Sequence, residues 1–267
     1  MALVLNEEQV MIRDSAAGFL AEKASIPQLR ALRDSEDEAG YDKQVWNEMV
    51  EMGWAGIAIS EDFGGLGFGF VGLGLVLEQM GRHLSASPLQ STVLVGATLI
   101  AQLGTQAQKE ALLPAISAGK KMVTLALQEG AHHAPSHIAL SAQKEGDHYI
   151  LNGSKKLVLD AHVADSFIVI ARTSGAADDE QGVTAFLVEA GTDGVEVERS
   201  IMVDARNAGV VSFNNAKISA ENILGEEGQA SAALNKTLDI ANIGLAAELL
   251  GISLEAFERT NEYLKER

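Results

Sequence analysis

The chain has 267 residues, of which 47% are hydrophobic and 21% are charged, a composition typical of a globular protein. Its formal net charge of −17 argues against binding to nucleic acid or to an anionic membrane surface. The absence of cysteine excludes disulfide bonds, thiol catalysis and thiolate metal sites. The N-terminal ten residues have no basic region and no long apolar core, so we expect no secretory signal and a cytoplasmic location. The apolar run at residues 97–103 is too short to cross a bilayer, so we expect no membrane span.

The first 120 residues have the pattern of a helical domain. Asn6 and Gln9 form a predicted capping box, and Asp42 and Thr105 are predicted caps of later helices. The stretch at residues 54–70 contains five glycines, each of which costs roughly 1 kcal/mol inside a helix. Because this stretch has no lysine or arginine, we interpret it as a tight connection between packed helices and not as a phosphate-binding loop.

Between residues 121 and 227 the pattern changes to short strands separated by Gly, Asn and Asp. Asn152-Gly153 is a common two-residue hairpin sequence, so we predict a hairpin there and a second turn at residues 144–147. Strands at this spacing predict an antiparallel sandwich or barrel. The predicted strands cover residues 122–127, 139–143, 149–151, 155–159, 167–172, 183–189, 195–200 and 210–215.

From Ala230 onward the pattern is helical without a break, and its apolar residues form one long stripe. A single helix cannot bury such a stripe, so we expect more helices, either from another chain or from sequence beyond Arg267. The predicted fold is therefore α+β and multidomain. An all-α domain covers residues 1–120, a β domain covers residues 121–227, and residues 228–267 form the first helix of a C-terminal helical bundle.

The loop at residues 128–137 contains three of the six histidines in the chain, which are His132, His133 and His137. Only Glu129 is near them in sequence as a further ligand. We therefore interpret the three histidines as loop residues and predict no metal site.

Short motifs resemble the acyl-CoA dehydrogenase family in the same order along the chain. Residues 60–67 are similar to the family's Pro-Glu-x-Tyr-Gly-Gly-x-Gly loop, with Ser60 in place of proline, and residues 77–82 are similar to its Glu-Glu-x-Gly-Arg helix. Further similar segments lie at residues 104–119, 152–155, 171–173, 222–225 and 246–251. The resemblance implies an oxidoreductase of fatty acid or lipid metabolism, a flavoprotein that dehydrogenates an acyl-CoA thioester with hydride transfer to FAD.

The resemblance also implies which residues face the cofactor and the substrate. The implied cofactor-binding residues are Leu125, Leu127, Gln128, Leu157, Val158 and Leu159, and the implied substrate-binding residues are Glu129, Ala134 and Ser136. The family's loop is Thr-Glu-Pro-x-x-Gly-Ser-Asp, and this chain keeps Glu129 but has Gln128 in place of threonine. The family's aromatic-Ile-Thr strand corresponds to residues 157–159, which carry neither an aromatic ring nor a hydroxyl group.

The family's catalytic base has two known positions, and this chain fills neither. The usual position lies beyond Arg267, and the minority position corresponds to Ala241. Two explanations are open. The chain is a fragment of a longer acyl-CoA dehydrogenase, or it is a catalytically silent structural subunit. Either explanation implies a homo-oligomer, or a hetero-oligomer with an acyl-CoA dehydrogenase homologue.

Overall fold

The N-terminal part of the protein consists of helices, as predicted. We describe residues 4–267 from a computed structural model; residues 1–3 of the N-terminal segment considered above lie outside the described range. The capping box is present, with the Gln9 amide donating to Asn6 Oδ1 at 2.8 Å and the Asn6 amide donating to Gln9 Oε1 at 3.1 Å. Asp42 and Thr105 also cap helices through their side chains. The helices are α1 (Glu7–Lys23), α2 (Ile26–Asp34), α3 (Lys43–Glu51), α4 (Gly69–His83), α5 (Leu89–Leu103) and α6 (Gln106–Ser117).

Helix α5 is irregular in a way that the sequence did not predict. Its first part, Leu89–Ala97, has the wider turns of a π-helix, and Thr98–Leu103 continues as an α-helix. It packs closely on the first strand of the sheet, because a Cβ atom at Gly96 would lie 2.4 Å from the carbonyl oxygen of Val123. Widened turns of this kind are rare and are found often at functional sites.

The glycine-rich stretch between α3 and α4 is a compact connection. It contains short 3₁₀ turns at Trp54–Gly56 and Glu61–Phe63. A Cβ atom at Gly56 would lie 2.2 Å from Ser117 Oγ, and one at Gly65 would lie 2.1 Å from the carbonyl oxygen of Ile59. The glycines therefore allow close packing of the backbone on itself and on α6.

The middle part forms one sheet in which most neighbouring strands are antiparallel. The strands are β1 (Val123–Ala126), β2 (Ser141–Glu145), β3 (His148–Leu159), β4 (Ser166–Arg172), β5 (Val183–Glu189), β6 (Val195–Ile201), β7 (Asn207–Ser219) and β8 (Ile223–Leu224). Their order is β6-β7-β3-β2-β4-β5-β8, and β1 pairs with β4. The pairings β1–β4 and β2–β4 are parallel. The sheet is therefore mixed, whereas the sequence predicted antiparallel strands.

The predicted hairpin at Asn152-Gly153 is wrong, because β3 continues through both residues. The side chain of Asn152 accepts a hydrogen bond from the Asn215 amide at 2.9 Å, which ties it to the neighbouring strand β7. Gly153 has φ +137° and lies at a shift in the β3–β7 register, so the pair forms a bulge within one strand. The turn predicted at residues 144–147 is present and joins β2 to β3.

Strand β4 lies at the centre of the protein, and every one of its residues is buried. Ile168 and Ile170 point into a core shared with the N-terminal helices, whereas Phe167 and Val169 point into a second core on the other face of the sheet. A strand buried on both faces is expected to be apolar along its length, and this one is apolar from Phe167 to Ala171. The helices and the sheet therefore form one packed body, and the three domain limits given above remain predictions.

The chain ends in helix α7 (Ser231–Glu266), which extends far beyond the surface it packs on. Its contact with α4 is close, because a Cβ atom at Gly251 would lie 1.8 Å from the carbonyl oxygen of Glu78. The opposite face is apolar and exposed, including Ile243 at 67% and Phe257 at 69% exposure. An 18-residue window of α7 has mean hydropathy 1.5, so by length and composition alone this helix could cross a membrane. The expectation of no membrane span considered only the apolar run at residues 97–103, and the apolar stretch in α7 is longer than that run.

Candidate functional site

The loop at residues 128–137 leaves the end of β1 and is organised by Gln128. The Gln128 side chain donates to the carbonyl oxygens of Gly130, at 3.3 Å, and of His132, and it accepts from the Ala134 amide at 3.3 Å. Its backbone carbonyl accepts from the amide of Lys156 at 2.6 Å. The amide group of Gln128, which replaces the family's threonine, is therefore engaged within the loop.

Glu129 is the centre of a clamp that fixes the other end of this loop. Its carboxylate accepts hydrogen bonds from Lys155 Nζ at 2.6 Å, from the Ala139 amide at 2.9 Å and from the Leu140 amide at 3.0 Å. Lys155 is fully buried on β3 and also donates to the carbonyl oxygen of Leu127 at 3.1 Å. Both carboxylate oxygens of Glu129 thus have internal partners, which gives this residue a structural role in the loop, and its contact with substrate stays a prediction.

The two charges of this clamp shift each other's pKa. Burial by itself raises the pKa of Glu129. The Lys155 ammonium and the backbone amides of Ala139 and Leu140, which donate to the Glu129 carboxylate, together have the larger effect and lower this pKa overall. Burial lowers the pKa of Lys155 to about 8, although Glu129 opposes the change. The pair is therefore ionised at neutral pH.

Arg172, at the end of β4, holds the second loop beside the site. Its guanidinium donates to four carbonyl oxygens, those of Ile138, Ala177, Asp179 and Gln181, at distances from 2.6 to 3.2 Å. The loop at residues 177–181 is thereby fastened against the loop at residues 128–137.

The three histidines of the loop at residues 128–137 are exposed, and the structure does not bring them together as ligands. His137 Nδ1 lies 2.8 Å from Asp178 Oδ1. Within residues 4–267, no group of three or more His, Asp or Glu side chains is arranged to hold a metal ion.

The strand end at residues 157–159 is a second bulge, and its three side chains differ in exposure. Leu157 has φ +51° and is 51% exposed, Val158 is 1% exposed in the core of the sheet, and Leu159 is half-buried at the lip of a cleft. Of the other predicted cofactor residues, Leu125 is half-buried, and Leu127 is buried with 8% exposure. Val158 and Leu127 therefore expose little side-chain surface to a cofactor, and their contact with it stays a prediction.

The remaining predicted substrate residues, Ala134 and Ser136, are exposed on the loop at residues 128–137. Ser136 lines a small cavity of about 80 Å³ together with Asp178, Asp179 and Ser231. This places the loop beside the first turn of α7. Ala241 lies further along α7 and has no carboxylate, so the structure offers no base at that position.

A cleft of about 250 Å³ follows directly from Leu159 and contains a polar cluster that the sequence did not predict. Asp160 has φ +52° and accepts a hydrogen bond from Ser91 Oγ at 2.6 Å. Burial raises the pKa of Asp160 to about 6, against the smaller opposing effects of Ser91 and Arg206. Its carboxylate is thus held beside the cleft in a poorly solvated position.

The same cleft is bordered by an ion pair between Arg206 and Glu248. Arg206 also donates to Gln90 Oε1 at 2.8 Å, and Gln90 donates to Glu248 in turn. Glu248 is only 3% exposed, and both its oxygens are engaged. No single local motif contains this cluster, because its members come from α5, from the turn before β7 and from α7, and Gln90 is 116 residues from Arg206.

Two profiles of one protein family match the sequence of this chain. The family profile described as "Acyl-CoA dehydrogenase, N-terminal domain" matches residues 6–120, and that described as "Acyl-CoA dehydrogenase, middle domain" matches residues 117–216. The chain belongs to the acyl-CoA dehydrogenase family, as the sequence motifs indicated.

Individual relatives are similar over nearly the whole chain. It is 30% identical to the short/branched chain specific acyl-CoA dehydrogenase of Bos taurus, with 98% of this chain and 60% of that protein aligned. The structure of butyryl-CoA dehydrogenase from Megasphaera elsdenii is 31% identical, with a TM-score of 0.86 over 100% of this chain and 71% of that one. A subunit of the caffeyl-CoA reductase–Etf complex of Acetobacterium woodii is 27% identical over 99% of this chain and 70% of that protein. The chain therefore spans about 60 to 70% of the length of these relatives.

The residues present fit FAD in part. Exposed Leu157 and half-buried Leu159 provide an apolar face suited to a flavin ring. The polar edge of the ring has fewer partners, because Leu159 stands where the family has a hydroxyl and the Gln128 amide is engaged in its own loop. The described residues therefore offer the ring apolar surface and leave its hydrogen bonds to backbone groups.

Proposed function

We propose that this chain provides the helical and β parts of an acyl-CoA dehydrogenase, which removes hydrogen from Cα and Cβ of an acyl-CoA thioester. The observation that carries the proposal is the position of Leu157 and Leu159 beside the clamped loop at residues 128–137, in a chain that belongs to this family. The family resemblance also implies Leu125, Leu127, Gln128 and Val158 as cofactor-binding residues.

When bound, FAD accepts a hydride, and this chain's own residues position the ring and substrate. Leu157 and Leu159 present apolar surface to the ring, which also excludes water from it. The clamp between Glu129 and Lys155 fixes the loop that carries Ser136 beside the first turn of α7. The α-proton requires a base, and we assign none within the described residues, because Ala241 is apolar and Glu248 is paired.

A second candidate function is that of a catalytically silent structural subunit, which stabilises a homologous, active chain. The engaged Gln128 amide and the apolar Leu159 favour it, since both remove polar contacts to the flavin. In either case we propose a partner that covers the apolar face of α7, supplied by a second copy or by an acyl-CoA dehydrogenase homologue. A cytoplasmic location also remains a proposal, which cell fractionation tests.

The first experiment measures flavin retention. The purified chain is mixed with FAD and desalted, and its visible absorbance is recorded before acyl-CoA substrates are assayed. A retained flavin band together with turnover supports the dehydrogenase. A colourless protein that binds an active homologue supports the silent subunit and contradicts the first proposal.

Leu159→Thr sharpens the result, because it returns a hydroxyl group to the edge of the ring. We expect this variant to retain more flavin than the wild type, since each neutral hydrogen bond contributes about 1 kcal/mol. Ile201→Thr, at an exposed position on β6, is the matched control and should leave retention unchanged. Equal retention in both variants would argue against a ring at Leu159.

A further inference from the structure

A second cleft, of about 370 Å³, lies between the glycine-rich connection, α5 and α7. It shares no lining residue with the loop at residues 128–137 or with the strand end at residues 157–159. Its floor consists of side chains that are at most 5% exposed, and its rim consists of exposed residues. The floor residues are Ile59, Val93, Ala97 and Leu113, and the rim includes Phe70 and Lys236.

The shape and lining of this cleft are those of a site for an apolar molecule. Its volume falls within the range of small-molecule pockets, which are mostly apolar with a few polar groups that fix orientation. Val93 and Ala97 belong to the π-helical part of α5, and the wider turns there shape one wall. Phe70 is 40% exposed at the rim, although a large aromatic side chain gains by burial.

The charge at the rim defines the polar end of the ligand. Lys236 is the one cationic residue among those that line the cleft, and none of the lining residues is acidic. This is notable in a chain whose net charge is −17. A single ammonium beside an apolar cavity matches a molecule with one anionic head and an aliphatic tail.

We propose that this cleft binds an unbranched aliphatic carboxylate of medium length, with its tail between Val93, Ala97 and Leu113 and its carboxylate at Lys236. The inference does not rest on the proposed dehydrogenase function, because the two sites have separate linings. The ligand makes no covalent bond, and the site is a binding site only.

Octanoate is the probe, and its binding to the whole chain is measured by titration calorimetry. We expect saturable binding that strengthens by roughly three- to fourfold for each added methylene from hexanoate to octanoate, because each buried methylene is worth about 0.8 kcal/mol. Lys236→Gln should weaken octanoate binding at least fivefold and leave the binding of the neutral octanol unchanged. Lys265→Gln, an exposed lysine on the same helix, is the matched control.

Two further variants locate the ligand. Ala101→Phe narrows this cleft at an exposed position, where the substitution does not disturb the core, and should weaken both octanoate and octanol binding about tenfold. Ile252→Phe narrows the other cleft, beside Asp160, and should have no effect. The proposal is overturned by an absence of octanoate binding, by an affinity that Lys236→Gln and Ala101→Phe leave unchanged, or by a loss of binding in Ile252→Phe.

Discussion

The clamp between Glu129 and Lys155 makes a strong prediction for a single residue. Lys155→Met should lower the free energy of unfolding by about 3 kcal/mol, because it leaves the Glu129 carboxylate largely buried without its cation. Urea unfolding of the purified chain measures this. Lys156→Met, at the exposed neighbouring position, should change it by less than about 0.5 kcal/mol. Equal losses in both variants would mean that the clamp does not stabilise the fold.

Asp160 predicts a dependence of stability on pH. Its folded pKa of about 6 lies above the ordinary value of 3.8, so the folded state holds the proton more tightly than the unfolded state. The stabilising contribution is complete below pH 3.8 and is lost as the pH rises through 6. Asp160→Asn removes the charge, keeps an acceptor for Ser91 and suits the left-handed φ of +52°.

Thermal unfolding between pH 4 and pH 7 tests this expectation. Asp160→Asn should be more stable than the wild type by about 1 to 3 kcal/mol at pH 7, and the difference should shrink toward zero at pH 4. Asp193→Asn, in an exposed turn, is the control and should follow the wild type throughout. A constant advantage across the pH range would assign the effect to backbone conformation and not to the charge.

At the scale of elements, the contact between α4 and α7 depends on glycine. A Cβ atom at Gly81 would lie 2.1 Å from the carbonyl oxygen of Glu248, so Gly81→Ala should push the helices apart and cost about 1 to 3 kcal/mol. Gly74→Ala in the same helix should instead stabilise by up to about 1 kcal/mol, because its Cβ would lie at an ordinary 3.9 Å from Ala247 Cβ. Melting temperatures of the two variants give the comparison, and a gain in both would contradict the close contact.

The elements themselves were predictable where their signals are local. The caps Asn6, Asp42 and Thr105 each act within three residues, and all three helices begin where predicted. Asn152-Gly153 has the local sequence of a turn, but the long pairing of β3 with β7 outweighs that preference and turns it into a bulge. The parallel pairing of β1 with β4 and the π-helical part of α5 depend on contacts between distant segments, which no short window contains.

The site was predictable only as far as the family's motifs extend. They located the loop at residues 128–137 and the strand end at residues 157–159, and these two segments do lie side by side. They did not indicate that Lys155 would engage both Glu129 and the carbonyl oxygen of Leu127. The sequence did not predict the cluster of Gln90, Arg206 and Glu248. Each of these residue types is common on protein surfaces, and only the fold brings the three side chains together.

At the scale of the whole molecule, the exposed face of α7 predicts association. Leu249 and Leu250 are each about half exposed, at 52% and 51%, and they lie with Ile243 and Phe257 along one apolar face. Soluble proteins rarely leave so large an apolar patch uncovered. We expect the purified chain to form oligomers in sedimentation experiments at micromolar concentration.

A double variant, Leu249→Lys and Phe257→Lys, should shift this equilibrium to monomer, because lysine at these positions opposes burial of the face. Glu262→Lys alters charge on the exposed end of the same helix and serves as the control. An association that survives the double variant would place the contact elsewhere on the molecule.

The close contact at Gly251 is the point from which the remaining part of α7 projects. Since an α-helix rises about 1.5 Å per residue, the part after Gly251 extends about 22 Å, and a tilt of roughly 10° moves its tip by about 4 Å. This part is tethered near its midpoint by Arg82 on α4, which pairs with Glu255 at 3.2 Å and with Glu258. The pairs of Arg82 with Glu255 and Glu258 therefore resist such a tilt and hold the tip in place, where a docked neighbour would contact it.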